Sequence, residues 1–364
     1  MAGPSLKPWI AAIRPYAPGA SEGADGAPLV KLSANENPYG CSPVALEALA
    51  AARNPADYPD PDARALRAAI GTAHGIDPAR IVCGAGSGEL LQCAVQAFAG
   101  PGDEVVFPRY SFSLYPLLAM KVGAQGVHAE PRDYAASAET LLAAVTPRTR
   151  VVLVDNPNNP VGSRLSALEI ARLHAGLPGH VLLVIDHAYA EYAGADDGGL
   201  ALAARHDNVL VTRTFSKVFG LAGERVGWAT GAPGLIGGIN RLRGAFNVSA
   251  GGQRAALAAL GDTEFISASA QRNAAVRRDF EAAVARLGNH GLRAIPSSAN
   301  FVLVLFEGAL TAEAARAALE AAGYAVRHLP GQGLGHALRI TMGTEAQMAE
   351  VAAVLAQAAS GSAR

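Results

Sequence analysis

Three short stretches constrain the fold more than anything else in the chain. RVVLVDNPNNPVG from Arg150, HVLLVIDHAYAEY from His180 and NVLVTRTFSK from Asn208 each open on an aliphatic run and close on polar residues. A strand with one wet face alternates apolar and polar residues. An unbroken aliphatic run instead suits a strand buried on both faces of a parallel sheet. SALEIARLHAGL lies between the first two and has a helical pattern, so it reads as a crossover. Strand, helix and strand in repetition predict an α/β fold with a mostly parallel, doubly wound sheet.

The flanking segments extend this reading. Residues 1–40 are rich in Pro and Gly with little periodicity and are expected to form an irregular arm. SPVALEALAAA starts a helix, with Ser42 as cap and a proline at the first helical position. RIVCG and DEVVFP read as strands, and SGELLQCAVQAFAG as a helix closed by glycine. After about residue 245 the composition turns to Ala/Arg helices, including RAALAAL and QRNAAVRRDFEAAVARLGNHG. Then come NFVLVLF, the helix TAEAARAALEAAG, YAVRHLP and ALRITMG, a mixed set that suits a smaller α+β domain which the arm could join. The expected organisation is an arm at 1–40, a large domain at 41–245 and a small domain at 246–364.

Composition narrows the function. With 50% hydrophobic and 17% charged residues, the 364-residue chain has ample material for a core. A formal charge of −1 without basic clusters gives no electrostatic case for nucleic acid or an anionic membrane. No run approaches the ~18 apolar residues of a membrane span, and the start lacks an unbroken apolar leader segment, so a cytoplasmic protein is expected. Cys41, Cys83 and Cys93 have no C-x-x-C spacing. They read as small buried hydrophobes rather than disulfide or zinc ligands, and no metal is expected.

In open parallel sheets, ligands bind beyond the carboxyl ends of the strands. The polar residues just past the three runs are Asn156, Asn158 and Asn159, then Asp186 and Tyr189, then Ser216 and Lys217. Any one of them alone is accounted for by an ordinary polar rim; together they point to one small-molecule site. Lys217 is one of only four lysines, with Lys7, Lys31 and Lys121, among 30 basic residues. A lysine that can form a Schiff base and an aspartate that can hold a pyridine nitrogen protonated are the two groups pyridoxal phosphate chemistry most needs. IVCGAGSGEL supplies a strand, a glycine-rich turn and a helix start, so the amides of Gly86, Ser87 and Gly88 would face an anion. A dinucleotide site would need an acid after the next strand, whereas Asp103 and Glu104 precede it, and no Gly-Lys-Ser/Thr ending marks a P-loop. Simple turn glycines are the other reading of that stretch.

SANENPYG, YPDP, GAGSGEL, DNPNNPVG, DHAYAEY, RTFSKVFGLAGERVG and LRITMGT fall, from about residue 14 to about 345, in the order and spacing of a known family. The chain resembles the fold-type I pyridoxal-phosphate aminotransferases, and among them most resembles the histidinol-phosphate aminotransferases. The resemblance implies that Lys217 anchors the cofactor aldehyde and then carries the proton, and that Asp186 pairs with the pyridinium nitrogen. It implies that Tyr189 and Asn159 bond the cofactor's 3′ oxygen, and that Tyr110 stacks on the ring, a contact of ~1 kcal/mol beyond its buried area. Ser216 and Arg225 would join Gly86, Ser87 and Gly88 around the phosphate. Tyr58 would reach the phosphate in the neighbouring subunit of a homodimer. Arg339, Arg327, Tyr16 and Asn35 would receive substrate, because a guanidinium grips a carboxylate or phosphate with two parallel bonds.

The implied reaction moves an amino group between glutamate and imidazole-acetol phosphate, yielding L-histidinol phosphate. An aromatic amino-acid aminotransferase and a threonine-phosphate decarboxylase-like enzyme share the pattern. Ala85, Gly88, Val161, His187 and Glu224 depart from it. Strand alternation points His187 away from Asp186, so it is expected to pack on the opposite side.

Overall fold

A computed structural model of the chain describes residues 3–13, 26, 28–51, 54, 56–194 and 196–362. Its strands in chain order begin with β1 (Val30–Leu32), β2 (Ile81–Ala85), β3 (Glu104–Pro108), β4 (Gln125–Ala129), β5 (Thr149–Asp155) and β6 (Leu182–Asp186). They continue with β7 (Val209–Thr214), β8 (Val226–Gly231), β9 (Leu292–Ile295), β10 (Phe301–Phe306), β11 (Tyr324–Leu329) and β12 (Leu334–Thr341). Seven of them form one sheet in the order β2-β8-β7-β6-β5-β3-β4. All its pairings are parallel except the two made by β8.

The aliphatic runs occupy the centre of this sheet, and their alternation separates two cores. Leu153, Val184 and Leu210 face the helices Ser87–Phe98, Leu114–Val122 and Pro233–Leu242. Their neighbours Val152, Val154, Leu183, Ile185 and Val211 face the helices Ala138–Ala143, Ala167–Gly176 and Gly199–Arg205. A period of two within buried strands thus covers both faces with helices, and the fold is the α/β arrangement expected. Burial of each such side chain is worth roughly 1.5–3 kcal/mol.

The smaller sheet runs β1-β11-β12-β10-β9. Val302, Val304, Leu338 and Ile340 face a core shared with the helices Thr263–Ala285, Ala312–Ala321 and Glu345–Gly361. On its opposite face Leu303, Leu305 and Ala337 pack with Val161 of the large sheet's loop, bringing the two sheets together there. The helix Ala250–Gly261 lies instead against the helices Pro43–Ala50 and Arg64–His74, beside β8.

Several local readings meet the structure directly. Ser42 caps Pro43–Ala50 by accepting from the Ala45 amide at 3.3 Å. Ala99, extended, ends the helix Ser87–Phe98 one residue before the expected glycine. The Pro- and Gly-rich start is not wholly irregular, since β1 pairs in parallel with β11. Three residues are too few for alternation to register. β8 escaped notice because of its glycines, yet a Cβ on Gly227 would lie 2.3 Å from the Ser87 nitrogen. The strand needs that glycine to approach the turn behind it. Cys83 and Cys93 are buried thiols, pushed up to about 12 and about 11 mainly by burial, whereas Cys41 is only partly buried.

Candidate active site

Parallel register sets the rim. Asp155 and Asp186 end β5 and β6, and in register beside them lies Thr212, two residues before the end of β7. Asp186 is only 3% exposed. Its Oδ1 accepts from Thr212 Oγ1 at 3.0 Å and its Oδ2 from the Tyr115 hydroxyl at 3.3 Å. Burial raises its pKa, with the Thr212 bond opposing. Asp186 makes no ion pair among the described residues, and a protonated ring nitrogen would provide one.

Lys217 follows the end of β7 by three residues. Its Nζ donates to the Ala34 carbonyl at 3.3 Å and stands 5.6 Å from the centre of the Tyr189 ring. Protein crowded around the partly buried side chain, and then the positive Arg339, pull its pKa down to about 8. The Tyr189 hydroxyl accepts from Asn35 Nδ2 at 2.8 Å and from Asn159 Nδ2 at 3.4 Å, and burial pushes its pKa up to about 12.

Asn35 and Arg339 tie the arm and the small sheet to this rim. Asn35 has φ of 58°, and its amide donates to Thr341 Oγ1 at 3.0 Å while its carbonyl accepts from Asn300 Nδ2 at 3.0 Å. Arg339 Nη1 donates to Asn159 Oδ1 at 2.6 Å, Nη2 donates to the Ser33 carbonyl at 2.5 Å, and the guanidinium lies 5.4 Å over the Phe301 ring. Lys217, Tyr189, Asn159, Asn35 and Arg339 are therefore one connected group, assembled from three parts of the chain.

Beside it is a cradle for an anion. Gly86 precedes the helix Ser87–Phe98 with φ of 77°, and no side chain caps that helix. Its first amides are thus available to a negative group. A Cβ on Gly86 would lie 2.2 Å from Arg225 Nη2, so glycine leaves room for the guanidinium to lie over the turn. Arg225 Nη1 donates to Ser216 Oγ at 3.0 Å. At Gly88 a Cβ would meet nothing closer than Leu114 Cδ2 at 3.6 Å. Two hydrogen-bonding side chains over uncapped amides fit a phosphate monoester.

The remaining expected residues are placed less centrally. Tyr110 stacks on Tyr134, ring centres 5.5 Å apart, and its carbonyl accepts from Asn158 Nδ2 at 2.9 Å. Arg327 sits on β11 directly opposite Arg339 on β12, and its guanidinium has no hydrogen-bond or ion-pair partner among the described residues. Tyr58 is 81% exposed and stacks on Phe246 at 4.4 Å. Tyr16 lies outside the described residues. His187 turns to Asp197, Nε2 to Oδ2 2.7 Å, and its ring makes no bond to the rim residues. Among the described residues no group of three potential ligands could hold a metal ion, and no helix is long and apolar enough to cross a membrane.

Thr212, Tyr115, Thr341, Asn300 and Asp155 belong to the site and were missed in the sequence. Asp155, pushed up to about 7 by burial, accepts from the Asn159 amide at 2.8 Å and from the Phe112 amide at 3.1 Å, which holds the Asn159 loop in place. Thr212 and Asp155 carried a signal, since each is a polar residue in or at the end of an aliphatic run. Tyr115 sits in SLYPLL, where it reads as a core aromatic.

The fold and the rim define a pyridoxal-phosphate-dependent transferase of fold type I. Residues 27–355 match the family model for aminotransferase class I and II. The histidinol-phosphate aminotransferase of Erythrobacter litoralis is 62% identical over 98% of both chains, and that of Zymomonas mobilis 55% identical over 97% of both. The crystal structure of histidinol-phosphate aminotransferase from Sinorhizobium meliloti, in complex with pyridoxal-5′-phosphate, is 30% identical, covers 99% of each chain and superposes with a TM-score of 0.89. The chain belongs to the class I and II aminotransferases and, within them, to the histidinol-phosphate aminotransferases.

Proposed function

We propose that this chain transfers an amino group reversibly between L-histidinol phosphate and 2-oxoglutarate, a step of histidine biosynthesis, with pyridoxal phosphate held at the rim described above. The observation that carries the reading is the Lys217 amine beside Tyr189, in a group that also contains Asn159 and Arg339. Gly86, Ser87, Gly88, Ser216 and Arg225 would hold the cofactor's phosphate, Asp186 its ring nitrogen, and Tyr189 and Asn159 its ring oxygen, with Tyr110 against the ring face.

When bound, the cofactor supplies an acceptor for the electron pair left by deprotonation at the substrate Cα. The chain's own residues do the rest. Lys217, with its pKa lowered to about 8, has a usable neutral fraction near pH 7 and can take a proton from that carbon and return it on the far side of the amino nitrogen, a 1,3-shift. Asp186, held by hydrogen bonds from Thr212 and Tyr115, would receive the ring nitrogen and favour its protonated form. Arg339 has a planar fork suited to a carboxylate, and Arg327 beside it has donors for a phosphate. Paired guanidiniums on adjacent strands favour a phosphorylated acceptor over phenylpyruvate, which has no phosphate.

In the same reading residues 1–40 form the arm, 41–245 the cofactor-holding domain and 246–364 the smaller one, with helix 250–261 docked across that boundary. Tyr16 of the arm would meet the substrate. The exposed Tyr58–Phe246 stack supports a homodimer in which Tyr58 reaches the neighbouring site, and the same reading has the protein act in the cytoplasm. The test is a half-reaction followed by the coenzyme's absorbance. Glutamate should convert it to the amino form and imidazole-acetol phosphate should restore it. Restoration by phenylpyruvate in preference would replace this substrate with an aromatic one.

A further inference from the structure

A tight turn that no part of the reaction uses stands behind Tyr110. Arg132 and Ala135 exchange both backbone hydrogen bonds at 3.0 Å, so Asp133 and Tyr134 form a two-residue hairpin loop. Such a loop needs φ above zero at both central positions, where Gly, Asn and Asp are favoured. Asp133 has φ of 43° and Tyr134 φ of 67°. A tyrosine at the second position is conformationally unfavourable, a cost that contacts of its side chain offset.

Those contacts run in three directions. The Tyr134 ring stacks on Tyr110 at 5.5 Å between centres, with 26° between planes. Its hydroxyl is 2.8 Å from His336 Nε2 on β12, the strand that carries Arg339 three residues later. The Arg293 guanidinium of β9 lies 5.7 Å from the Tyr134 ring centre and donates to Asp133 Oδ1 at 3.2 Å. Gln332, in the β11–β12 connection, also donates to the Ser111 carbonyl next to Tyr110 at 2.8 Å. The turn therefore clasps the small sheet at the point where it backs the Tyr110 ring.

We propose that Tyr134 is a positioning residue: it fixes the tilt of the Tyr110 ring and, through His336, keeps β12 and its Arg339 in register with that ring. This rests on the reading that places Tyr110 against the cofactor ring. Loss of the Tyr134 ring frees Tyr110 to tilt, and loss of the hydroxyl alone frees only β12.

The test uses holoenzyme converted to the pyridoxamine phosphate form, which lacks the aldehyde and so is held without a covalent tether. Release of that coenzyme, KM and kcat for histidinol phosphate, and Tm are measured for Tyr134→Gly, Tyr134→Phe and Tyr110→Ala. Tyr134→Gly relieves the backbone, so its Tm should match or exceed the parent's, while release should quicken roughly three- to tenfold, as for a lost aromatic pair. Tyr134→Phe should keep release within about twofold and raise KM more than it changes kcat. If Tyr110→Ala quickens release but Tyr134→Gly alters neither release nor KM, the positioning role is wrong and the reading of Tyr110 stands. If Tyr134→Gly acts only in proportion to a fall in Tm, Tyr134 is a structural residue and the proposal falls. If Tyr110→Ala itself leaves release unchanged, the reading of Tyr110 fails and takes the proposal with it.

Discussion

The rim of the seven-stranded sheet and the face of the smaller sheet that meets it bring differently prepared groups to the site. On the rim Asp186, Tyr189 and Asn159 are buried and hydrogen-bonded to protein. On the smaller sheet two arginines stand opposite each other, Arg339 bonded to Asn159 and Ser33, and Arg327, whose guanidinium has no protein partner among the described residues. A group already held needs no reorganisation when a ligand arrives, whereas an unengaged guanidinium gains its bonds only from the ligand. The rim thus has the preparation a resident cofactor would need, and the outer arginine the freedom suited to a substrate that comes and goes, as the proposed function assigns them.

The sharpest way to break that contrast is Lys217→Ala. If Lys217 is both tether and proton carrier, kcat should fall by about 10⁴-fold or more, and borohydride should no longer fix the coenzyme to the chain. Retained fixation would move the site elsewhere. Next in size, Arg339→Lys should reduce kcat/KM for both amino donors by about a hundredfold, because a point charge cannot replace a fork bonded to two protein acceptors and a substrate. A smaller effect is expected of Arg327→Gln. Here KM for histidinol phosphate should rise about tenfold while the glutamate half-reaction stays within about twofold, since only the phosphate loses a charge-assisted bond. Equal loss with both donors would make Arg327 a general anion contact, serving carboxylate and phosphate alike, and erase the distinction between the two arginines.

The rim was legible in the sequence because strand physics writes it there. Aliphatic runs predict buried parallel strands, such strands place ligands beyond their carboxyl ends, and Asn159, Asp186, Ser216 and Lys217 follow by position alone. The roles of Tyr110, Arg327 and Arg339 came from resemblance, since an arginine in LRITMG has no periodic mark of what it faces. The links between regions were not legible at all. That Asn35 would bond Tyr189 across 154 residues, or that Thr341 would receive the Asn35 amide, depends on how two sheets meet, and local pattern contains no information on that. Thr212 is the intermediate case, a hydroxyl inside an aliphatic run whose register beside Asp186 appears only when the strands are paired.

The smallest expected effect tests whether the two regions act on each other electrically. Burial is the main reason the Lys217 ammonium is disfavoured, and the positive charge of Arg339 adds to it, so the amine is half neutral at about pH 8 instead of 10.5. Because the neutral amine is the form that attacks an aldehyde, capture of pyridoxal phosphate by the apoprotein should be slow below that pH and rise through it. The rate of borohydride-trappable incorporation, measured against pH, gives the midpoint. In Arg339→Gln a like charge is removed while Lys217 stays crowded by protein, so the midpoint should move up without returning to the value of a free lysine. A midpoint that stays at about 8 would mean that Arg339 shapes the site through its contacts and not through its charge.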